Sequence, residues 1–452
     1  MDVQGKKVTV IGLGKSGYSA AKWLARHGAE VTVSDIKEKG ALDPNLVRDL
    51  TSVGVKLETG GHRRDTFCHS DFIVVSPGVP LDMPPLAEAR EAGIPIIGEL
   101  ELASRGMDIP ILAVTGTNGK STVTELLGAL VRKAGYRVFV GGNIGTPLID
   151  FPAEGGKADY AVVEVSSFQL DTAEKFSPHV AILLNITPDH LDRYPDYEAY
   201  EQSKLSIFRN QGKNGFAILN DDDARLSSFT PRGPAVLRYG MRRKEHRHAW
   251  VEDKMLCALS LDAKENAFDL KDFALPGAHN IENLMAVVLA GMALKIESKV
   301  IQETIVSFRA LSHRMEPAGR FRGVSFYDDS KATNVDSALR AVLSFESPIV
   351  LIAGGRHKGA DYGPLVKGAK DRVRKAVLIG EAGPLIAESL KGQVPFEFAR
   401  DMKEAVARAF AAAKAGDVVL LAPACSSFDM YTDYAQRGRV FKQAVEGLRG
   451  GK

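Results

Sequence analysis

The sequence predicts an α/β protein of three domains, each built around a sheet of parallel strands. Three segments open alike, with a run of β-branched and other apolar residues that ends in a glycine turn, at 7–14, 109–119 and 348–355. The runs are short and do not alternate with polar residues, which is typical of strands buried on both faces. A helix-compatible stretch follows each turn, and strand, turn and helix in repeated order indicate parallel α/β units.

The length of the chain and the spacing of these units suggest where the domains lie. The chain has 452 residues, which is enough for about three domains at roughly 150 residues each. We predict domains over residues 1–104, 105–308 and 309–452, with a hinge between the second and the third at 305–320.

The composition excludes several classes of protein. The net charge is +2, so no strong field favours a nucleic acid or a membrane surface as partner. The three cysteines, Cys68, Cys257 and Cys425, are widely spaced, which indicates reduced thiols rather than disulfides or a zinc site. No apolar run reaches the ~18 residues of a membrane span. The start of the sequence does not resemble a signal peptide. We therefore expect a cytoplasmic protein that binds neither nucleic acid nor membrane.

The first glycine turn is Gly12–Gly17, with the sequence GLGKSG, and Asp35 ends the next predicted strand. A G-x-G-x-x-G turn between strand and helix, with an acidic residue about 20 positions further on, is typical of dinucleotide binding. The same geometry accommodates any nucleotide diphosphate. From the motif alone, NAD, a UDP-linked substrate and a turn without ligand all stay open. A second turn, Ser76–Gly78, follows an apolar run and could close such a pocket from the side.

The strongest local signal is the loop Thr115–Ser121, with the sequence TGTNGKS. Backbone N–H groups of a glycine loop at a helix N-terminus bind phosphate. Lys120 can reach the outer phosphates, and the Ser121 hydroxyl can hold Mg²⁺. Val114 stands where the full pattern has glycine, so the loop is a shortened variant. It predicts a central P-loop ATPase-like parallel sheet between two Rossmann-like domains.

Candidate metal ligands follow two apolar strands of the central domain. Glu164 ends one strand, and Asp189, His190 and Asp192 lie on the loop after another. A buried carboxylate needs a metal or a cationic partner, and the motif leaves both open. Lys204 lies on the helix after this loop, where an ordinary lysine would face solvent.

Three polar loops follow strands of the last domain, at 327–334, 354–359 and 423–434. The carboxyl ends of strands are where open α/β sheets bind ligands, and the cationic and hydroxyl groups of these loops suit a small dicarboxylate. Three unrelated polar loops are the alternative. His313 and Arg314 lie at the predicted hinge, as linker or as site residues.

A basic run at 241–248, with the sequence MRRKEHRH, lies within a stretch that looks like hairpins, 238–261. We predict a solvated hairpin there and assign it no function.

The motifs together resemble the Mur ligase family over essentially the whole chain. The TGTNGK loop with a later HR pair also occurs in the related folylpolyglutamate synthetases. More specific are the motifs EVSSFQL, DSKATN, PAC-x-S-x-D and QRG, which resemble the members that add D-glutamate. Further matches are GGNIG at 141–145, NITPDHLDRY at 185–194, PGAHNIEN at 276–283 and HRME at 313–316.

The resemblance implies a role for each matching position. The UDP-linked substrate would bind at Gly14, Lys15, Ser16, Asp35, Ser76, Pro77, Gly78 and Asn143. ATP would bind at Gly116, Thr117, Asn118, Gly119, Lys120, Ser121, Thr122, Asn280, Asn283 and Arg314. Two Mg²⁺ ions would be held by Ser121, Glu164, His190 and Lys204, a lysine that family members carbamylate. The amino acid would bind at Lys331, Thr333, Lys358, Ser427 and Tyr434. The catalytic set would be Lys120, Glu164, Asp189, His190 and Lys204.

The resemblance also implies the reaction. We expect a monomer that uses ATP to add D-glutamate to UDP-N-acetylmuramoyl-L-alanine through an acyl phosphate, a cytoplasmic step of peptidoglycan precursor synthesis that releases ADP and phosphate. Two positions depart from the family: Tyr434 replaces a usual phenylalanine and His357 a common aspartate.

Three alternatives stay open: a folylpolyglutamate synthetase, an NAD-dependent oxidoreductase with a regulatory ATP site, and a non-catalytic nucleotide-binding scaffold. The first glycine turn argues against the synthetase, and the TGTNGKS loop argues against the oxidoreductase. The many titratable residues at strand ends argue against the scaffold.

Overall fold

A computed structural model describes residues 1–153, 155–191, 193–309 and 312–448. It contains three separate sheets, each with helices packed on its faces. The α/β prediction is confirmed at this level. The exact domain limits at 104/105 and 308/309 stay predictions. Among the described residues, no helix is long and apolar enough to cross a bilayer.

The first sheet is fully parallel, in the order β3-β2-β1-β4-β5. Its strands are β1 (Lys7–Ile11), β2 (Glu30–Asp35), β3 (Lys56–Thr59), β4 (Phe72–Val75) and β5 (Ile96–Gly98). Its helices are α1 (Lys15–Arg26), α2 (Pro44–Ser52), α3 (Arg64–Cys68), α4 (Pro84–Glu91) and α5 (Glu99–Ser104). The strand order reverses between β1 and β4, and a ligand crevice is expected at such a point.

The central sheet has nine strands in the order β14-β13-β12-β11-β10-β9-β6-β8-β7. They are β6 (Ile111–Thr115), β7 (Val138–Gly142), β8 (Tyr160–Glu164), β9 (Val180–Leu183), β10 (Phe216–Asn220), β11 (Ala235–Tyr239), β12 (Ala249–Glu252), β13 (Met255–Leu259) and β14 (Glu265–Asp269). Its helices are α6 (Lys120–Lys133), α7 (Asp150–Ala153), α8 (Ser167–Leu170), α9 (Tyr197–Leu205), α10 (Ala278–Ala293) and α11 (Ser298–Ser307).

The central sheet departs from the prediction in one respect, because it is parallel only from β7 to β12. The strands β12, β13 and β14 pair antiparallel and extend it at one edge. The hairpin predicted within 238–261 is β12 and β13.

The third sheet has the order β15-β16-β20-β17-β18-β19, with only β15 antiparallel. Its strands are β15 (Glu316–Phe321), β16 (Val324–Asp328), β17 (Ile349–Gly354), β18 (Val373–Ile379), β19 (Phe396–Phe398) and β20 (Val418–Leu421). Its helices are α12 (Val335–Leu343), α13 (Gly363–Ala369), α14 (Gly383–Leu390), α15 (Met402–Ala412) and α16 (Tyr434–Gly447).

The first two sheets share one hydrophobic core, whereas the third has cores of its own. One buried cluster runs from Val8 and Leu24 of the first sheet's layer to Ala113 and Val163 of the central sheet. The clusters on the two faces of the third sheet contain only residues from Met315 onwards. The third unit is therefore the one that can move without breaking a core.

Buried acids of α5 reinforce the junction between the first two sheets. The carboxylate of Glu101 accepts hydrogen bonds from the backbone N–H groups of Lys175 and Phe176, both at 3.0 Å. Glu99 accepts one from the N–H of Ile149 at 2.7 Å. Both acids are almost fully buried.

The basic run 241–248 is not simply a solvated hairpin, and this part of the prediction is wrong. It is the connection from β11 to β12, and Arg247 within it is buried. The Arg247 guanidinium pairs with Asp221 at 2.7 Å and with Asp222 at 2.5 Å. A buried cation needs such partners, and the two acids directly follow β10. The run therefore holds together the C-terminal ends of β10 and β11 in the central sheet.

Candidate active site

The first glycine turn and the turn after β4 line one open cavity of about 710 Å³. Of the residues predicted for the UDP-linked substrate, seven lie on it: Gly14, Lys15, Ser16, Asp35, Ser76, Pro77 and Gly78. The eighth, Asn143, lies in the central domain beside Glu164. Lys15 reaches across to the same region, because its ammonium donates to the carbonyl of Gly145 at 2.8 Å.

Asp35 and Ser76 hold the glycine turn in shape. The Asp35 carboxylate accepts from the N–H of Leu13 at 2.6 Å, and the Ser76 hydroxyl donates to the carbonyl of Gly12 at 2.7 Å. A side chain at Gly17 would overlap that same carbonyl, so only glycine allows α1 to begin so close to the turn. The cavity is therefore preformed at the strand-order reversal of the first sheet.

The phosphate loop lies between β6 and α6, as the motif predicts. Lys120 is folded back, and its ammonium donates to the carbonyls of Gly116 and Thr117, each at 2.8 Å. The backbone N–H of Asn118 donates to the side chain of Asn185 at 2.8 Å, which fixes the loop from the neighbouring strand end. Lys120 can swing from carbonyl oxygens to an anion without any change of fold.

Glu164 has only uncharged partners among the residues that the structure describes. Its carboxylate accepts from the Ser121 hydroxyl at 2.6 Å and from the Asn143 amide at 2.8 Å. The side chain is 2% exposed. A buried carboxylate next to a hydroxyl, at the mouth of a phosphate loop, fits the oxygen ligands that Mg²⁺ prefers.

Lys204 is buried, contrary to the expectation for an ordinary helix lysine. It is 2% exposed, lies over the ring of Tyr200, and donates to the carbonyl of Gly116 at 3.0 Å. Lys120 donates to that same carbonyl, so two ammonium groups share one acceptor. Burial, and then the charge of Lys120, lower the pKa of Lys204 well below its usual value. The surroundings of Lys204 thus favour the uncharged amine over the ammonium.

The loop after β9 brings Asp189 and His190 to the same region. Burial lowers the pKa of His190 to about 4, which keeps the imidazole neutral at physiological pH. Burial alone would raise the pKa of Asp189, but Lys358, His190 and a hydrogen bond from Asn334 lower it to about 2. A neutral imidazole is the form that binds metal. Asp192 lies outside the described residues.

A narrow cleft separates the phosphate loop from the third sheet. It is lined by Asn118, Gly119, Asn185, His279, Glu282, Asn283, Arg314, Met315, Asp329, Ser337, Arg340 and Ala341. The Arg314 Nε is buried and has no hydrogen-bond partner within the described chain, which fits a site for an anionic ligand. Asn280 does not line the cleft but accepts from the Asn283 amide at 3.3 Å.

Sequence reasoning missed several of these cleft residues. Asp329, His279, Glu282 and Arg340 were not among the predicted site residues, although Asp329 lies inside the DSKATN segment. Its position directly after β16 was the available signal. His279 and Glu282 lie inside the PGAHNIEN segment, which was their available signal. Arg340 has no local signal and reaches the cleft 3.5 Å from Glu282.

The structure brings together some of the residues predicted to bind the amino acid. The ammonium of Lys331 lies 5.0 Å from the ring centroid of Tyr434, and burial lowers the pKa of Lys331 to about 8. Ser427 is buried within the third polar loop, 423–434, and Thr333 lies just before the N-cap of α12. Lys358 instead faces the central domain, where it pairs with Asp189 at 3.3 Å.

Two departures from the family pattern have defined surroundings. The phenolic ring of Tyr434 stacks beneath Lys331, so an aromatic face is retained there. The His357 ring contacts the Tyr362 hydroxyl at 3.0 Å, and that hydroxyl contacts the Cys425 sulfur at 3.1 Å. His357 therefore packs onto its own domain.

Arg437, from the QRG motif, connects the loops of this site. It is 1% exposed. Its guanidinium donates to the hydroxyl and the carbonyl of Ser330 at 2.9 and 2.8 Å. It also donates to the carbonyls of Cys425 and Ser426, each at 3.2 Å. Arg437 thus joins α16 to both loops.

His313 belongs to a buried cluster rather than to a free linker. Its Nδ1 contacts Asp328 at 2.7 Å, and its N–H donates to Glu316 at 2.7 Å. These three side chains could in principle hold a metal. Glu316 already pairs with Lys442 at 3.0 Å, so the cluster is satisfied internally and fixes the segment that carries Arg314.

A phosphate loop in the middle of the chain, facing polar loops of two flanking α/β units, defines a three-domain enzyme that uses a nucleotide. Family models match all three units: the Mur ligase MurD-like N-terminal domain over 6–98, the Mur ligase middle domain over 114–291, and the Mur ligase glutamate ligase domain over 313–425. The chain therefore belongs to the Mur ligase family, whose members are ATP-dependent ligases.

Curated relatives match over the whole chain. A protein of Desulfosudis oleivorans is 45% identical over 100% of this chain and 98% of its own length. One of Acidobacterium capsulatum is 46% identical with the same coverage. Both are named UDP-N-acetylmuramoylalanine–D-glutamate ligase.

Solved structures show the same fold at low identity. A pseudomurein peptide ligase type C from Methanothermus fervidus is 20% identical, with a TM-score of 0.63 over 98% of this chain and 100% of that one. A UDP-N-acetylmuramate–alanine ligase from Thermotoga maritima is 20% identical, with a TM-score of 0.60 over 99% of this chain and 100% of that one.

Proposed function

We propose that this chain is the Mur ligase that adds D-glutamate to UDP-N-acetylmuramoyl-L-alanine with ATP, releasing ADP and phosphate. The names of the full-length relatives support the choice of substrates. The observation that carries the proposal is the cluster around the phosphate loop, in which Lys120 and Lys204 share the carbonyl of Gly116 beside a buried Glu164.

The three predicted sites suit the three substrates. The preformed cavity of the first sheet suits the UDP moiety, through Gly14 to Ser16, Asp35 and Ser76 to Gly78. The cleft with the unpartnered Arg314 Nε suits ATP. Lys331 lies over the ring of Tyr434, and Arg437 connects the polar loops 327–334 and 423–434; this arrangement suits the amino-acid dicarboxylate.

The reaction then runs in two steps. A carboxylate oxygen of the substrate's L-alanine attacks the γ-phosphorus of ATP, and ADP leaves with the electrons of the broken P–O bond. The amine of D-glutamate, in its deprotonated form, attacks the carbonyl carbon of the acyl phosphate. The C–N bond forms as the C–O bond to phosphate breaks; phosphate departs with the former carboxylate oxygen, and one amine proton leaves the nitrogen to give hydrogen phosphate. In this reaction, Lys120 and Arg314 would stabilise the charge that develops on the phosphoryl oxygens.

The residues fit two magnesium sites. Ser121 and Glu164 would hold one ion, and neutral His190 with a carbamylated Lys204 would hold the other. Mg²⁺ supplies charge neutralisation for the phosphoryl group. Carbamylation turns Lys204 from a cation into an anion, which would also remove its repulsion with Lys120 at the shared carbonyl.

Oxygen labelling tests whether the L-alanine carboxylate accepts the phosphoryl group. With both carboxylate oxygens of the L-alanine labelled with ¹⁸O, we expect one labelled oxygen in each released phosphate, detected by mass spectrometry. Phosphate without label would mean that the carboxylate is not the phosphoryl acceptor and would overturn this mechanism. A reaction run with unlabelled substrate in ¹⁸O water provides the control, because it should give unlabelled phosphate.

A further inference from the structure

The N-terminus of α12 contacts the phosphate loop through one residue of that loop, Asn118. The backbone of Asn118 is held within the central domain, by the side chain of Asn185. Its side chain is held by the third domain. The Asn118 amide donates to the Asp336 carboxylate at 2.7 Å, and the Asn118 carbonyl oxygen accepts from the Asn334 amide at 3.1 Å. Both polar ends of this side chain are thus used across the domain boundary.

Asp336 is also joined to α10 of the central domain. Its carboxylate accepts from Arg340 Nε at 2.9 Å, and Arg340 Nη1 lies 3.5 Å from the carboxylate of Glu282. We name these five residues the α12 latch: Asn118, Asn334, Asp336, Arg340 and Glu282. Two of its contacts cross from the third domain to Asn118 and one to α10.

The local geometry gives Asn334 and Asp336 different roles in the latch. Asn334 is the N-cap of α12, since its side chain accepts from the N–H of Ser337 at 2.8 Å. Its amide then has two hydrogens to donate, and they go to Asn118 and to Asp189 at 3.0 Å. Asp336 places a negative charge close to a loop that must bind phosphates, which is unfavourable unless a cation offsets it. Arg340 is that cation.

We propose that Asp336 is a positioning residue, which orients the Asn118 side chain and with it the phosphate loop only when the third domain is closed. The latch would make phosphoryl transfer depend on arrival of the domain that carries the amino-acid site. This proposal rests on the ligase reaction proposed above. Asp336 itself is not among the residues assigned to any substrate.

The ordinary alternative is that Asp336 only stabilises its own helix, as an acid in the first turn paired with an arginine four residues on. The chain contains a matched control for this. Glu404 lies in the first turn of α15 and pairs with Arg408 four residues on, at 2.7 Å. Glu404 is in the same domain, and its described ion pairs all lie within that domain.

The test compares Asp336→Ala, Asp336→Asn and Glu404→Ala in the full chain. We expect Asp336→Ala to lower kcat by about tenfold, the change that a hydrogen bond to a charged group typically carries. In the absence of the other substrates, the Kd of the Asp336→Ala variant for ADP should stay within about twofold of that of the unmodified protein, because the latch forms only on closure. Asp336→Asn keeps an acceptor for Asn118 and should recover most of kcat. Glu404→Ala should resemble the unmodified protein.

A distance measurement separates this proposal from the proposed reaction. Dyes on Lys213→Cys and Lys391→Cys, in a Cys68→Ser background, report the separation of the central and third domains by energy transfer. With a non-hydrolysable ATP analogue and the UDP-linked substrate, Asp336→Ala should populate the closed state less than Glu404→Ala does. This readout needs no amino acid, so it decides the latch even if D-glutamate proves not to be the substrate.

Either of two results would overturn the latch. One is an equal closed fraction and equal kcat in Asp336→Ala and Glu404→Ala. The other is a loss of ADP affinity in Asp336→Ala that matches its loss of kcat, since this would mean that Asp336 acts on the open nucleotide site.

Discussion

At the scale of single residues, Lys204 is the position where burial changes the chemistry. A lysine ammonium with one carbonyl acceptor, beside a second ammonium, is held in an unfavourable state. Its lowered pKa favours the neutral amine, which is the form that reacts with carbon dioxide. This state of the side chain is the one that the carbamate proposed above requires.

We expect Lys204→Ala to lower kcat by at least about 100-fold, because a charge that supports phosphoryl transfer is lost. Added bicarbonate or a short carboxylic acid should restore part of the activity by occupying the vacated space as an anion. Phosphate release measures both effects. Lys213→Ala, an exposed lysine of the same domain, should change neither. Loss of activity without any rescue would count against the carbamate.

Residue types and their spacing indicated the phosphate loop and the residues lining the first cavity, because these groups follow directly after strands or glycine turns. Other candidate site residues, such as Asn143, Asn280 and Asn283, were assigned only from the family resemblance. The burial of Lys204 and of Arg247 could not be predicted, because neither has a local signal. Each depends on partners distant in the chain: Gly116 for Lys204, and Asp221 with Asp222 for Arg247.

At the scale of elements, α16 holds the third domain's site together through Arg437. Replacing Arg437 by methionine removes five hydrogen bonds and leaves buried carbonyls without donors. We expect a loss of about 3 kcal/mol in the free energy of unfolding and a raised KM for the amino acid. Urea unfolding followed by circular dichroism measures the first effect. Arg439→Met, at an exposed position of the same helix, should leave both unchanged.

The helix α5 makes the junction between the first two domains sensitive to pH. Burial raises the pKa of Glu99 to about 7, from an ordinary value of 4.5. The folded chain therefore holds a proton that the unfolded chain has released. Stability from this group is full below pH 4.5 and is lost as pH rises through 7, by about 3 kcal/mol.

Glu99→Gln keeps the acceptor for the N–H of Ile149 but cannot ionise. We expect this variant to be about as stable as the unmodified chain at pH 5 and more stable at pH 8. Urea unfolding followed by tryptophan fluorescence, to which Trp23 of α1 contributes, measures the difference at both pH values. Glu91→Gln, at an exposed position of the first domain, is the control. The same pH dependence in Glu99→Gln as in the unmodified chain would show that Glu99 is not its source.

Element types were predictable wherever one apolar run forms one strand, as in β1, β6 and β17. The sequence did not predict that β12 to β14 extend the central sheet. Only β12 pairs with β11, and that pairing has a single register position, Tyr239 opposite Ala249. Sheet membership of this kind depends on packing against α10, which no local pattern reports.

At the scale of the whole molecule, the shared core of the first two domains and the separate cores of the third favour a closing motion of the third domain alone. The contact of Lys358 with Asp189 and those of Asn334 and Asp336 with Asn118 join the third domain to the second, as a closed arrangement would. An acyl phosphate must be kept from water, so closure has a chemical purpose.

We expect small-angle X-ray scattering to give a smaller radius of gyration when a non-hydrolysable ATP analogue and the UDP-linked substrate are added. A nucleotide bound in the cleft between the domains would contact both of them and favour the closed state. Lys120→Ala, which should bind the nucleotide's phosphates poorly, serves as the control and should compact less. Identical curves with and without ligands would contradict closure about 305–320.

The reaction itself is tested most directly by phosphate release from ATP with Mg²⁺ and UDP-N-acetylmuramoyl-L-alanine, in the presence of D-glutamate, L-glutamate or neither. We predict release that depends on D-glutamate, together with a UDP-linked product heavier by one glutamyl residue in the mass spectrum. Equal release with L-glutamate, or release without any such product, would contradict the assignment of D-glutamate and leave an ATP-dependent Mur ligase with another acceptor.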